Sequence, residues 1–426
     1  MEAVKLCYGD RVLELNLDGA KSVEILREKD MPVIPDLREA FLRAVTVDCV
    51  GSPPLDQLIS GDDLVTIVIS DITRFWMRQD KVVALLLEYL TQALGVPYGN
   101  IVILVALGTH RPQTDLELQA LVTPGVYEKV RVLNHDCMAG DLRFVGTTSL
   151  GTQVYVNPLA VGRKVILTGG TVHHLMAGFG GGRKSVVPGI AGKATINQNH
   201  IHSLSPALPC SNPLIGVGKL PENPVNEDMD EACALVGPAF GINIVVNGHS
   251  EHCHLVCGHW QGAWEKSCQI VSDAMGVPIG YEADIVVVSC GGFPKDINLY
   301  QGVKSLLNAS RAVREGGDMI FLAECREGGG APEYFSWIES VKTGTLDADL
   351  RANFSIAGYI FYASCEASAK CNVHMLTGIP PETVADMKLH AYDNLDELLS
   401  RVDFTGKRVY VMPNGGNTVP SLKNNP

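Results

Sequence analysis

Short apolar runs recur along the whole chain, with helical patterns between several of them. Polar residues rarely interrupt these runs, which is typical of strands buried on both faces of a parallel sheet. Amphipathic stretches at 79–94 and 300–313 predict two of the connecting helices. The pattern predicts an α/β fold with mostly parallel sheets flanked by helices. The predicted strands are 64–70, 101–108, 164–170, 242–247, 284–292, 318–325, 372–378 and 408–416.

Length and composition divide these elements into two domains. At about 150 residues per domain, a chain of 426 residues has room for at least two. The composition changes near 260–280, between two series of strands and helices, and we predict α/β domains at 1–270 and 271–426. Chemically active side chains follow directly after several predicted strands. Because ligands of α/β proteins bind beyond the carboxyl ends of strands, we expect one active site in a cleft between the domains.

Charge and hydropathy exclude several classes of function. The net charge is −13, and no basic stripe is present, so we expect no nucleic-acid partner. The apolar runs are far shorter than the ~18 residues of a membrane span, so we expect no membrane insertion. The first ten residues lack the pattern of a signal peptide, and twelve cysteines then indicate reduced thiols. A cytoplasmic location follows from these features.

The glycine-rich stretch HHLMAGFGGGRKSVVPG, residues 173–189, nearly matches a phosphate-binding P-loop. A P-loop requires a glycine directly before its lysine, and Arg183 occupies that position before Lys184. The mismatch disfavours a nucleoside triphosphatase. Backbone N–H groups of the glycine run, followed by a lysine, still suit an anion. A flexible turn without a ligand is the alternative interpretation.

Two histidines stand just beyond apolar strands, His110 in LGTHR and His174 in the glycine-rich stretch. Facing each other across a cleft, they could each give or take a proton, a transfer that is typically worth ~10²–10⁴ in rate. Arg74 in SDITR has the planar guanidinium that binds carboxylate or phosphate. Tyr300 and Lys304 are four residues apart and share a helical face. Purely structural roles remain open for each of these residues.

The segment 249–259 carries histidines and cysteines that suggest a metal site. Its sequence, with an Asn-Gly pair between two apolar runs, predicts a β-hairpin. Strict alternation along the second strand would place His252 and His254 on one face and Cys253 and Cys257 on the other. Zinc ligands have to converge, so this pattern disfavours zinc.

Five segments together resemble one family, the nickel-dependent lactate racemases, which use a nickel-pincer nucleotide. They are DITR, GTHR, HLMAGFGGGRKSVVPGI, NQNH and GGFPKDINLYQGVK, in this order between about residues 70 and 305. The resemblance implies two α/β domains with the site between them. It also implies an isomerase, a racemase or epimerase of a 2-hydroxy acid.

The resemblance implies specific roles as well. The cofactor would be pyridinium-3-thioamide-5-thiocarboxylic acid mononucleotide with nickel, held covalently by Lys184. His200 in NQNH would be the protein ligand of nickel, and His110 and His174 would be the acid/base pair. His173 stands beside His174, and the choice between them depends on the spacing to Lys184. The remaining matches would bind the cofactor (Asp71, Thr73, Tyr300 and Gln301) or the substrate (Arg74 and Lys304).

The implied reaction is reversible hydride transfer from C2 of the substrate, through a planar 2-keto acid, with one histidine serving each enantiomer. The partners would be a small 2-hydroxy acid and separate cofactor-maturation enzymes, and a homo-oligomer is allowed.

FWMRQ follows the Thr-Arg pair where many family members have proline, so Phe75, Trp76 and Arg78 would reshape the pocket. We therefore expect a hydroxy acid larger than lactate, sugar-derived or with a second carboxylate. Lactate-specific members carry a tryptophan in the second domain, and we would expect it near residues 355–363. We identify no counterpart of this tryptophan in the sequence.

Three other functions compete with this interpretation. An NAD-dependent 2-hydroxy acid dehydrogenase shares the substrate class and the architecture, but no G-x-G-x-x-G follows a predicted strand. A zinc hydrolase would use the segment 249–259. A catalytically silent metabolite-binding protein would leave Lys184 unmodified.

Overall fold

The computed structural model describes residues 3–422, which form two compact units. The larger unit contains residues 30–202 and 214–273, and the smaller unit contains the described residues of 1–29, 203–213 and 274–426. Each unit is built on a six-stranded, mostly parallel sheet with flanking helices, which confirms the predicted α/β class. The domain ranges 1–270 and 271–426 stay a prediction.

The strands are numbered in chain order. They are β1 Val4–Tyr8, β2 Arg11–Leu15, β3 Ser22–Ile25, β4 Val65–Ser70, β5 Ile101–Ala106, β6 Arg131–Asn134, β7 Arg143–Thr147, β8 Gln153–Val156, β9 Lys164–Gly170, β10 His173–His174, β11 Gly178–Phe179, β12 Phe240–Val246, β13 His252–Gly258, β14 Gly276–Ile279, β15 Ala283–Ser289, β16 Val313–Leu322, β17 Asn372–Leu376, β18 Leu389–Tyr392, β19 Arg408–Met412 and β20 Val419–Leu422.

The α-helices connect these strands, together with shorter 3₁₀ turns. They are α1 Leu37–Thr46, α2 Gln79–Glu88, α3 Asp115–Val122, α4 Pro124–Tyr127, α5 Lys193–His200, α6 Pro224–Val236, α7 Trp260–Met275, α8 Leu299–Ser310, α9 Ile338–Thr343, α10 Leu346–Ala352, α11 Ile356–Lys370, α12 Pro381–Val384 and α13 Leu395–Leu399. Within the described residues, no helix combines the length and apolar character needed to span a membrane.

The sheet of the larger unit has the strand order β13-β12-β9-β4-β5-β6. All neighbouring strands are parallel except β12 and β13. Nearly every residue of β4, β5 and β9 is buried, because helices cover both faces and leave no solvent-facing side. The carboxyl ends of β9, β4 and β5 therefore meet at one sheet edge, from which the turns with Asp71, His110 and His174 begin.

The hairpin predicted around the Asn-Gly pair is confirmed as β12 and β13, but the predicted alternation on β13 is wrong. A β-bulge pairs Val246 with His252 and Val245 with His254. Because directly paired residues share a face, the bulge puts His252 and His254 on opposite faces. The His252 ring bonds the backbone carbonyls of Met77 and Arg78, at 3.0 and 3.1 Å, so it fills a structural role in the sheet.

The smaller unit has a fully parallel sheet in the order β18-β17-β16-β15-β19-β3. Its edge strand β3 comes from the beginning of the chain and pairs with β19 from near its end. The β1–β2 hairpin contributes Leu6, Tyr8 and Leu15 to one core with residues of β15 and β16. Helix α8 follows β15 and begins at an Asn298 cap, whose side chain accepts the Gln301 N–H.

The strands and the two helices predicted from the apolar pattern are all present, with bounds that differ by a few residues. Helix α2 continues through one π-helical turn at Tyr89–Ala93, which gives the predicted length of 79–94. Strand β16 begins five residues earlier than predicted, at Val313. The β1–β2 hairpin and β3 were not predicted, since their exposed positions interrupt the apolar pattern.

Candidate active site

The turns at the sheet edge of the larger unit bring Asp71 and His110 into direct contact. The Asp71 carboxylate, buried just after β4, bonds Nδ1 of His110, which follows the neighbouring strand β5. Its other oxygen accepts the Thr73 hydroxyl at 2.6 Å. Burial would raise the pKa of Asp71, but the bond and charge of His110, the Thr73 hydroxyl and the Arg74 charge together lower it. Asp71 is therefore a carboxylate at neutral pH.

The contact with Asp71 determines which ring nitrogen of His110 carries the proton. An ionised carboxylate only accepts hydrogen bonds, so Nδ1 of His110 carries a proton and donates it to Asp71. In the neutral ring, Nε2 then has a free lone pair. The His110 side chain is 49% exposed, which leaves Nε2 able to reach a ligand. An imidazole oriented in this way by a buried carboxylate is the arrangement of a general base.

Arg74 lies next to this pair on the same turn. Its guanidinium donates to the Thr73 hydroxyl at 3.0 Å, and Thr73 in turn contacts Asp71. The next residues pack inward: Phe75 and Trp76 lie against the core, and Arg78 makes a two-bond ion pair with Asp80 at 2.9–3.0 Å. Arg74 is thus the cation of this turn that lies beside Asp71.

His174 has the opposite hydrogen-bonding pattern to His110. It lies on β10, which pairs with β11 in a small antiparallel ribbon after β9. Its Nδ1 accepts the backbone N–H groups of Met176 and Ala177, both at 3.2 Å. An accepting Nδ1 assigns the proton of the neutral ring to Nε2. Nε2 lies 3.2 Å from Nζ of Lys184, so the ribbon brings His174 and Lys184 together.

Lys184 lies in a single 3₁₀ turn, Gly182–Ser185, whose cap residue Gly181 and first residue Gly182 both have left-handed backbone. Gly181 has φ 75° and Gly182 has φ 52°, a region that other residues rarely adopt. Burial, Arg183 and Arg74 lower the pKa of Lys184 to about 7. A substantial fraction of the amine is then neutral and nucleophilic near pH 7. No α-helix follows before α5, so the turn lacks the helix that a P-loop places behind its phosphate.

His200 ends helix α5 and is 2% exposed. Its Nδ1 donates to the carbonyl of Ile196 one turn earlier, at 2.9 Å, which leaves the Nε2 lone pair for another partner. Burial and the charge of Lys184 lower the pKa of His200 to about 3, so the ring is neutral. A neutral imidazole with a fixed tautomer is the form that binds a transition metal.

A buried carboxylate on α6 holds helix α5, the helix that ends at His200. Asp228 on α6 accepts the hydroxyls of Thr148 and Thr152 and the side-chain amide of Asn199, the residue before His200. The bonds from Thr152 and Asn199 are both 2.8 Å long. We did not identify Asp228 from the sequence, because its partners come from two distant segments, the turn with Thr148 and Thr152 and the helix with Asn199.

Tyr300, Gln301 and Lys304 lie in the smaller unit, in the first two turns of α8. The Lys304 ammonium donates to the side-chain carbonyl of Gln301 at 2.9 Å. Tyr300 packs edge-on against Tyr334, with ring centres 6.4 Å apart. A tryptophan lies beside the segment 355–363, since the indole of Trp337 occupies the space next to Gly358.

In the described part of the chain, no three histidine, cysteine or carboxylate side chains converge to hold a metal ion. This includes segment 249–259, where the bulge separates His252 from His254. A single protein ligand such as His200, completed by donor atoms of a cofactor, would not form such a cluster.

Comparison with known proteins places the sequence in a family. The model of the lactate racemase N-terminal domain matches residues 8–209, and that of the C-terminal domain matches residues 280–419. A lactate racemase of Thermoanaerobacterium thermosaccharolyticum is 30% identical over 345 residues, which cover 80% of this chain and 79% of that protein. The chain belongs to the lactate racemase family. It is accordingly an isomerase, as the resemblance implied.

Further members and structures agree with this assignment. A lactate racemase of Lactiplantibacillus plantarum is 28% identical over 97% of this chain and 99% of its own. The structure of the T. thermosaccharolyticum lactate racemase apoprotein matches 98% of this chain and 100% of its own with a TM-score of 0.87 and 26% identity. A crystal structure of a Thermotoga maritima protein, with a TM-score of 0.61 and 19% identity, shares the fold.

Proposed function

We propose that this chain interconverts the two configurations at C2 of a 2-hydroxy acid, with His110 and His174 as the acid/base pair. One observation carries the proposal: the two imidazoles have opposite hydrogen-bonding patterns. His110 donates from Nδ1 to Asp71, whereas His174 accepts at Nδ1 from backbone N–H groups. Inversion needs one group that removes a proton and another that supplies one, and the two tautomers match these needs.

In the proposed reaction, Nε2 of His110 accepts the hydroxyl proton of one enantiomer. Asp71 stabilises the imidazolium that forms, because it is buried and ionised beside Nδ1. Nε2–H of His174 supplies a proton to the oxygen when the opposite enantiomer forms. In the reverse direction the two histidines exchange roles.

The substrate carboxylate would be held by cations. Arg74 is fixed by Thr73 beside the Asp71–His110 pair, and we assign it to the carboxylate. Lys304 of the smaller unit is assigned to the same group, with Tyr300 and Gln301 next to the cofactor. A carboxylate held at one end would let the reacting carbon present either face.

The residues of the larger unit fit a lysine-tethered nickel-pincer nucleotide. His200 offers a neutral Nε2 lone pair, and Lys184 offers a partly neutral amine at a glycine turn. The positive charge of Lys184 lowers the pKa of His200, so these two side chains interact. When bound, the nucleotide would supply a reversible acceptor for the hydride from C2. The partners we propose are separate enzymes that make the nucleotide and load it on Lys184.

The relatives are named lactate racemases, so lactate is the first substrate to test. Phe75 and Trp76 pack against the core and Arg78 is paired with Asp80, so they offer less to a ligand than the sequence alone suggested. The competing candidate substrate is a 2-hydroxy acid that is larger than lactate, either sugar-derived or with a second carboxylate. Racemisation rates across a panel of 2-hydroxy acids decide between them.

The test is coexpression with cofactor-maturation enzymes, followed by peptide mass spectrometry, nickel analysis and a racemisation assay. We expect an adduct on the peptide containing Lys184, about one nickel per chain, and conversion of a single enantiomer to a racemate without added NAD. Lys184→Arg, which keeps the charge, should lose the adduct and the activity, whereas the exposed-lysine control Lys193→Arg should keep both. Net oxidation that depends on NAD would favour a dehydrogenase instead. An unmodified Lys184 in an inactive wild-type protein would contradict the proposal.

A further inference from the structure

We propose that Arg183 is a positioning residue that holds His174 and Lys184 in place from behind the glycine loop. The inference rests on the proposed function, which makes these two side chains catalytic and cofactor-binding. In the sequence, Arg183 is the residue that breaks the P-loop pattern. The structure gives this departure a purpose.

Arg183 points into the protein and away from any ligand of the loop. Its side chain is fully buried, and its guanidinium stacks 3.6 Å from the centre of the Trp264 ring. The two terminal nitrogens donate to the carbonyls of Phe179, at 3.1 Å, and Ala177, at 2.8 Å. One guanidinium thereby closes the loop 177–183 on itself.

A partly buried carboxylate balances the charge of Arg183. Asp230 on α6 lies 3.5 Å from Nε of the guanidinium. Burial lowers the pKa of Arg183 to about 10, so it is still a cation at neutral pH. Burial raises the pKa of Asp230 to about 6, against the opposing effect of Arg183. An ion pair largely removed from water adds little net stability, because desolvation of the charges offsets their attraction, so we assign this pair to fixing the loop geometry.

Trp264 fixes the other side of the loop. Its indole N–H donates to the Gly180 carbonyl at 2.9 Å. A β-carbon on Gly182 would lie 2.6 Å from the indole, so only glycine allows this approach. The ring of Trp264 thus contacts both the loop backbone and Arg183, from helix α7.

A short path connects this arrangement to the reacting groups. Arg183 bonds the carbonyl of Ala177, and the N–H of Ala177 is one of the two donors to Nδ1 of His174. Lys184 directly follows Arg183, and its amine contacts Nε2 of the same histidine. Displacing the guanidinium should shift Ala177, release Nδ1 of His174 and change the position of Lys184.

The matched comparison is Arg183→Lys against Arg163→Lys. Arg163 is a partly buried arginine of the larger unit, which bonds Thr66 and the carbonyls of Val65 and Asn100 at 2.7–2.9 Å, away from the site. The first readout is the pair of imidazole ¹⁵N signals of His174 in histidine-labelled protein without cofactor. The second is the yield of adduct on the Lys184 peptide after coexpression with maturation enzymes.

We expect Arg183→Lys to move the His174 nitrogen signals and to lower the adduct yield at least about tenfold, because small displacements of reacting groups cost large factors in rate. Arg163→Lys should change neither readout. Trp264→Phe is the second variant, for the case that Arg183→Lys does not fold; it removes the bond to Gly180 and should move the same signals. Unchanged His174 signals in the folded variants would overturn the inference. Since this spectrum needs no cofactor, it decides the matter even if wild-type protein takes up no nucleotide.

Discussion

Replacing Lys184 by methionine should stabilise the protein without cofactor, most strongly at low pH. The amine is depressed from its ordinary pKa of 10.5 to about 7 by burial and by the charges of Arg183 and Arg74. Folding therefore disfavours the ammonium. Methionine has a similar length and no charge, so the variant no longer carries this cost.

The size of the effect follows from the pKa difference. At about 1.4 kcal/mol per pH unit, the change from 10.5 to about 7 corresponds to about 5 kcal/mol if it is fully expressed. Part of the Lys184 side chain is accessible to solvent, which screens the charge. The variant also loses the contact with His174, worth about 1 kcal/mol. We expect a net gain of about 1–3 kcal/mol at pH 6.

The pH dependence has a definite sign. Between about pH 7 and 10.5 the unfolded chain still holds the Lys184 proton and the folded chain does not. The stability of the wild-type protein therefore rises with pH in this window. The methionine variant has no such group, so its advantage is complete below about pH 7 and shrinks as the pH approaches 10.5.

Thermal unfolding of both proteins between pH 6 and 10 measures this difference. At about 2–4 °C per kcal/mol, the variant should melt a few degrees higher at pH 6, and much of the gain should be gone at pH 9.5. Lys193→Met is the control, because Lys193 is exposed and should give no comparable gain. A Lys184→Met variant that melts below wild type at pH 6, or whose gain does not fall with rising pH, would refute the reasoning.

Three further changes test other parts of the site. Asp71→Asn should lower kcat for racemisation by about 10²–10⁴ while the melting temperature stays near wild type, because the amide no longer fixes the required tautomer of His110; a loss below tenfold would contradict this role. His200→Ala should abolish nickel retention but keep the adduct on the lysine peptide, as metal analysis and peptide mass spectrometry would show. Asp228→Asn should destabilise the protein by about 2–4 kcal/mol in denaturant unfolding, since three buried donors lose a charged acceptor, whereas Glu231→Gln, at a partly exposed position that bonds only Ser149, should cost less than about 1 kcal/mol.

The strands that carry the site were predictable because burial on both faces leaves an apolar run with little interruption. The same pattern explains why Asp71 and His110 could be identified: each follows such a run, and parallel strands end at the same edge. What the sequence could not supply is which two strands are neighbours. The contact of Asp71 with His110 depends on β4 lying directly beside β5, a matter of topology.

Other features depend on contacts between distant segments. Ser22–Ile25 has only two apolar residues and no burial pattern of its own, yet it pairs with β19 from near the other end of the chain. The bulge that separates His252 from His254 inserts one extra residue into β13 and so interrupts strict alternation. No local sequence pattern indicates this insertion. In both cases the register of pairing, and not the local pattern, decides which side a residue faces.

Arg183 shows how a motif comparison and a structure answer different questions. From the sequence, it is a departure from a phosphate-binding pattern, and the departure only excludes a function. The partner that explains it is Trp264, on a helix that reads as an ordinary amphipathic segment. Gly182 leaves room for the indole of Trp264, and the indole stacks on Arg183, so the three residues pack as one unit.

The charges around Lys184 finally indicate what the site is prepared to bind. In a chain with net charge −13, burial lowers the pKa of Lys184 most, and the nearby charges of Arg183 and Arg74 lower it further. Of these two arginines, Arg183 is offset by the partly buried Asp230, whereas Arg74 bonds the neutral Thr73 oxygens and interacts with the Asp71 carboxylate through its charge. An anion beside Arg74 and Lys184 would relieve their repulsion and raise the pKa of the lysine. The protein without ligand thus stores an electrostatic cost that a carboxylate or phosphate removes on binding, which favours anionic ligands over neutral ones of the same shape.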